Sequence, residues 1–120
     1  MNTAFQEVGT FTVAIPEYFG SDDAYFALQD ALIADPNRGA VIPGTGGLRK
    51  VRWPDRRRGK GKRGGLRVIY MHIPAARPII SFDVYDKNEA DDLSSSDKRY
   101  LSGMAAAIRA ELEREGGWYE

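Results

Sequence analysis

The chain has 120 residues, 42% of them hydrophobic, and its 17 Lys and Arg balance its 17 Asp and Glu. That length suits a single domain, residues 1–120, with enough chain to bury a core unaided. The absence of Cys excludes disulfides and thiolate zinc sites, and no apolar run approaches the roughly 18 residues of a membrane span.

The single His and the lack of a His, Asp or Glu cluster at ligand spacing argue against a metal site. The first residues, MNTAFQEVGTF, lack a basic stretch followed by an apolar one, so a cytoplasmic location is expected.

Residues 8–13 are short, apolar and β-branched, and predict an opening or edge strand that Pro16 ends. Tyr18 and Phe19 read as the start of a short helical or turn segment. Ser21 is a candidate N-cap, with Asp22 and Asp23 placed for a first turn. Tyr25, Leu28 and Leu32 follow at helical spacing, with Phe26 and Ile33 widening the stripe. Asp35-Pro36-Asn37 ends that helix, and residues 38–47 read as a loop.

Three strands are predicted next, at 48–53, 66–73 and 79–85. In the first, alternation puts Leu48, Lys50 and Arg52 on one face and Arg49, Val51 and Trp53 on the other. Ser94 is the N-cap candidate for a last helix, whose Leu101, Met104, Ala105, Ile108 and Leu112 share one face before Gly116-Gly117. This order predicts an α+β domain. It has a small antiparallel sheet of about four strands, N-terminal helices and a C-terminal helix, with the helices packed on one sheet face.

Charge is distributed unevenly along this neutral chain. Ten of the 17 Lys and Arg fall within residues 49–67, with Asp55 the one acid among them. Such a concentration directs a field toward a polyanion, most often nucleic acid. Lys50 and Arg52 in phase on a strand mean either a solvated face or a face turned to an anion. Arg67, on the strand expected to pair with theirs, adds a third cation that repels the other two unless an anion lies between them.

Arg56, Arg57, Arg58, Lys60, Lys62 and Arg63 form a Gly-rich basic loop: either an inert solvated loop or, with Arg49, a tether to RNA phosphates. Gly44-Thr45-Gly46-Gly47 lacks the spacing of either phosphate-binding fingerprint. His72, Trp53, Tyr70 and Tyr85 read first as structural residues. Lys87 could close the basic site or be a turn residue.

Three blocks carry a resemblance. The first runs Asp35-Pro36, Gly39, then Val41-Ile42-Pro43-Gly44-Thr45-Gly46-Gly47-Leu48-Arg49-Lys50-Val51-Arg52-Trp53. The second is Gly59-Lys60, then Lys62-Arg63-Gly64-Gly65-Leu66-Arg67-Val68-Ile69-Tyr70. The third is Val84-Tyr85, Lys87-Asn88-Glu89 and Leu93-Ser94. In this order they resemble HigB-like toxins of the RelE/ParE superfamily over roughly residues 22–112. The resemblance implies a toxin of a bacterial type II toxin–antitoxin system that cuts mRNA on the translating ribosome without a metal or other cofactor. It also implies a cognate antitoxin, expected to be a helix-turn-helix protein of the HigA kind.

By position, Lys50, Arg52 and Arg67 match the family's basic catalytic residues, with Lys87 a looser match. RelE-type enzymes carry a late catalytic Tyr where this chain has Leu93, and Tyr85 is the nearest substitute.

The chemistry needs only cations, because the nucleophile is the RNA's own 2′-OH. Arg67 and Arg52 are expected to fork onto phosphate oxygens. Lys50 is expected to accept the proton, since neighbouring cations disfavour its charged form. Lys87 or Tyr85 is expected to serve the leaving 5′-oxygen. Two other readings stay open: a ParE-like inhibitor of DNA gyrase, and a non-catalytic RNA- or ribosome-binding module.

Overall fold

A computed structural model describes residues 5–55, 65–72, 79–86 and 93–115. The basic loop residues Arg56, Arg57, Arg58, Lys60, Lys62 and Arg63, and Lys87, lie outside the described residues. So do the proposed helix stop at Gly116-Gly117 and the Leu112 side chain.

The element order is β1 (Phe5–Glu7), α1 (Gly9–Phe19), α2 (Asp22–Ala34), β2 (Ala40–Val41), β3 (Arg49–Trp53), β4 (Leu66–His72), β5 (Ile79–Asp86) and α3 (Ser95–Glu115). The five strands form one sheet in the order β1-β5-β4-β3-β2. This is an α+β fold, mostly antiparallel as expected, with one strand more than the sequence reading allowed.

The strand expected at residues 8–13 is instead the first half of α1. Phe11 and Phe19 are buried, with Ala14, Ile15 and Tyr18 packed alongside, so the apolar period there is helical. Pro16 lies inside this helix and does not end it. Proline removes one helical N–H, but Phe11, Phe19 and Tyr25 compensate by meeting as tilted ring pairs 5.5–6.1 Å apart. Gly20, at φ 75°, turns the chain out of α1 in the left-handed conformation.

Ser21 then caps α2, its Oγ accepting from the Ala24 N–H at 3.3 Å. Tyr25, Leu28 and Leu32 are buried as their spacing predicts, while Phe26 faces outward, half exposed. Ser94 caps α3 in the same way, accepting from the Asp97 N–H at 3.0 Å.

β1 pairs with β5 in parallel, not antiparallel, because α1, α2 and three strands intervene before the chain returns to its side. The helices also occupy both sheet faces, which corrects the one-face expectation. α1 and α2 pack with Val51, Leu66, Val68, Tyr70 and Val84. On the opposite face, α3 presses Leu101 and Ala105 on Ile69, Met71, Ile80 and Phe82.

An irregularity in the β4–β5 register at Ile69/Tyr70 lets both Phe82 and Asp83 lie toward α3. Further along, the Arg109 guanidinium of α3 donates to the Gly46 carbonyl at 3.0 Å, holding the 42–48 turn. A Glu7 carboxylate joins the N-terminal elements, accepting from Thr12 Oγ1 at 2.8 Å and from the Tyr25 hydroxyl. Burial, and then the Glu7 hydrogen bond, hold the Tyr25 phenol above its ordinary range.

Candidate nucleic-acid interface

Register brings three of the expected residues into one row. Arg52 on β3 lies opposite Arg67 on β4, which lies opposite Tyr85 on β5. Neighbouring strands are about 4.8 Å apart, so the row spans about 10 Å. Two residues along β3, Lys50 shares that face and begins a second row, Lys50–Ile69–Asp83. Both rows lie on the α3 face. There α3 covers the apolar end of the sheet and its first turn stands beside Asp83.

The members of the rows differ in access. Arg52 is exposed and Lys50 half-buried. Arg67 is only 6% exposed, and Tyr85 is buried with no accessible surface on its hydroxyl. An unpaired buried charge is costly. Arg67 and the buried acids Asp55 and Asp86 all have interaction partners, so the Arg67 charge is not isolated. Accessibility therefore divides roles that the sequence left equal. Arg52 can present a guanidinium fork to a ligand, whereas Arg67 lies buried beside it.

Arg49 points the other way. Its guanidinium donates to the Gly39 carbonyl at 2.7 Å and to the Asn37 carbonyl at 3.4 Å, bracing the turn after α2. That hold gives this basic residue a structural task on the face away from Lys50 and Arg52. His72 ends β4 far from Arg67, and burial, then Arg49, lower its imidazole below the ordinary range.

The sequence reading missed two residues. Asp83 interrupts the apolar run of β5, a signal that was there to be read. With Asp97, Tyr100 and Leu101 it lines a pocket of about 160 Å³. Burial raises its carboxyl above the usual range, the Val84 N–H at 2.9 Å opposes this, and Asp97 adds to it.

Arg38 is the other. The sequence reading placed it in a loop, but it lines a cleft of about 380 Å³ with Ala40, Lys50, Val51 and Arg52. Its guanidinium carbon lies 5.7 Å from the Trp53 ring centroid.

Tyr70 sets the position of Arg38. From within the core its hydroxyl accepts from the Gly39 N–H at 2.9 Å and donates to the Pro36 carbonyl at 2.7 Å. Gly39 comes so close that a Cβ there would lie 2.9 Å from Lys50 backbone atoms and from the Tyr70 ring. Among the described residues, no group of three or more His, Cys, Asp or Glu is arranged to hold a metal ion. No helix among them is long and apolar enough to cross a membrane. A comparison with known protein families finds no family model that matches the chain.

Proposed function

We propose that this chain is the toxin of a type II toxin–antitoxin pair, a ribosome-dependent endoribonuclease that halts translation by cutting mRNA in the cytoplasm. The observation that carries the reading is the alignment of Lys50, Arg52 and Arg67 on one face of adjacent strands. Like charges directly opposite each other destabilise a sheet. Arg67 has partners within the fold, which leaves the exposed Arg52 and the half-buried Lys50 to meet a phosphate, and the three-block resemblance names the ligand as RNA.

In the proposed reaction the RNA 2′-oxygen attacks the adjacent phosphorus and its proton passes to Lys50. Arg52 forks onto the phosphoryl oxygens as charge builds there, and Arg67 contributes its field from beside it. The 5′-oxygen departs with a proton, leaving a 2′,3′-cyclic phosphate and a 5′-hydroxyl. The buried Tyr85 hydroxyl suits packing beside Arg67 better than proton delivery, which leaves Lys87, nominated by the resemblance, for the leaving oxygen. A helix-turn-helix antitoxin would neutralise the chain by covering this basic face.

The test is to express the chain during active translation and map mRNA 5′ ends, alongside a Lys50→Ala/Arg52→Ala variant. New ends within translated frames, absent with the variant, support the reading. No new ends from the wild-type chain overturn it. Inhibition of gyrase supercoiling in their place would move the assignment to a ParE-like toxin, and salt-sensitive ribosome binding without cutting would reduce it to a binding module.

A further inference from the structure

Given an RNA substrate, we propose that Arg38, backed by Trp53, is a stacking platform for a nucleobase next to the phosphate site. The inference rests on the nucleic-acid reading but not on cleavage. Four observations meet at this edge of the sheet. Arg38 is exposed, and its guanidinium carbon lies over the Trp53 ring, 5.7 Å from the centroid. It shares a cleft with Lys50 and Arg52, the residues assigned to phosphate.

The turn that carries Arg38 is held at four carbonyl or N–H groups by Tyr70 and Arg49, so the platform is fixed before a ligand arrives. Finally, β2 pairs with β3 only at Arg49 and Lys50. Among the described residues, no strand covers the outer edge of Val51–Trp53, whose backbone groups can meet the edges of a base.

Single-stranded RNA is recognised by splaying bases onto aromatic rings or Arg guanidinium planes while phosphates are held by cations. Arg52 supplies the second of these functions, with Lys50 beside it, and the Arg38–Trp53 pair supplies the first. Charge alone would be served by Lys at position 38. A stacking role requires the plane.

The experiment uses fluorescence anisotropy with a labelled single-stranded RNA of about eight nucleotides, and versions lacking one base at a time. For the wild-type chain, removing the base at one position is expected to weaken binding about tenfold. Arg38→Lys should bind the abasic RNA as the wild type does and should lose that penalty. Arg38→Ala should lose the penalty and also bind the abasic RNA more weakly. With Trp118→Phe as background, leaving Trp53 the only Trp, its emission should change with intact RNA and not with the abasic version.

An unchanged penalty in Arg38→Lys overturns the platform and leaves the nuclease reading intact. A chain that cuts nothing yet shows the Arg38-dependent penalty overturns the nuclease and keeps the platform. Failure to bind any RNA at low salt overturns both. Displacement of the RNA by an acidic peptide, with no penalty at any abasic position, overturns the platform in favour of a protein partner.

Discussion

The two faces of the sheet are built to opposite rules. Toward α1 and α2 the strands present Val51, Leu66, Val68, Tyr70 and Val84, and the polar groups that enter are clipped to named partners. Toward α3 the apolar contact covers only one end, and the other carries Arg52, Arg67, Lys50 and Asp83. One face is apolar throughout its packed residues, while the other sets the exposed Arg52 and half-buried Lys50 beside the buried Arg67. Placing both on the same three strands lets a rigid core hold the cationic row without flexible support.

The sharpest way to break this contrast is to remove a cation from the open face. Arg52→Ala should lower mRNA cleavage about 10²–10³-fold, the usual loss for one charge-stabilising donor. Because Arg52 is exposed, its melting temperature should barely move. A large loss of stability would mean that the row serves folding.

Next comes Tyr70→Phe, on the closed face. It strands the Gly39 N–H and the Pro36 carbonyl, and should cost about 2–3 kcal/mol in urea unfolding. It should also weaken RNA binding at the Arg38 edge. An effect on stability alone would separate the faces completely.

Tyr25→Phe keeps the ring but removes the hydrogen bond to Glu7. About 1.5 kcal/mol of destabilisation is expected, with unchanged cleavage. Cleavage that falls with stability held would show that the N-terminal clip reaches the far face.

The smallest effect concerns pH. Burial and Asp97 raise the Asp83 carboxyl in the folded chain, so folding favours its protonated form. That contribution is fully present below the unfolded value and is lost as pH rises through the folded one. Asp83→Asn should therefore melt slightly higher than wild type at about pH 7, with the gap closing by about pH 3. A gap that widened in acid would reverse the assignment.

Much of the layout could be read before any coordinates. Ser21 and Ser94 were visible as caps because capping is local chemistry. The alternation of residues 48–53 set Lys50 and Arg52 against Val51 and Trp53, as found. What could not be read depends on distant partners. The α1 segment passed for a strand because β-branched composition outweighed a helical spacing that only Phe11 and Phe19 at the core make plain. β2 is two residues long and leaves no periodic trace. The register irregularity that turns Asp83 toward α3 exists only between two strands. Arg67 and Arg52 look equivalent in sequence, and their difference in access arises from neighbours far along the chain.

The parallel pairing of β1 with β5 has a consequence for how the molecule is made. Phe5 must find Ile79, so the first strand emerges from the ribosome long before its partner does. Closing so long a loop is slow, since the entropy is lost before the contact forms. Until then the outer edge of β5 stays open, and open edges invite pairing with other chains. Deleting residues 1–7 should thus leave β3 and β4 paired but produce a chain that refolds into oligomers at high concentration. Docking of the N-terminal strand would then be the late step that makes a nascent chain solitary.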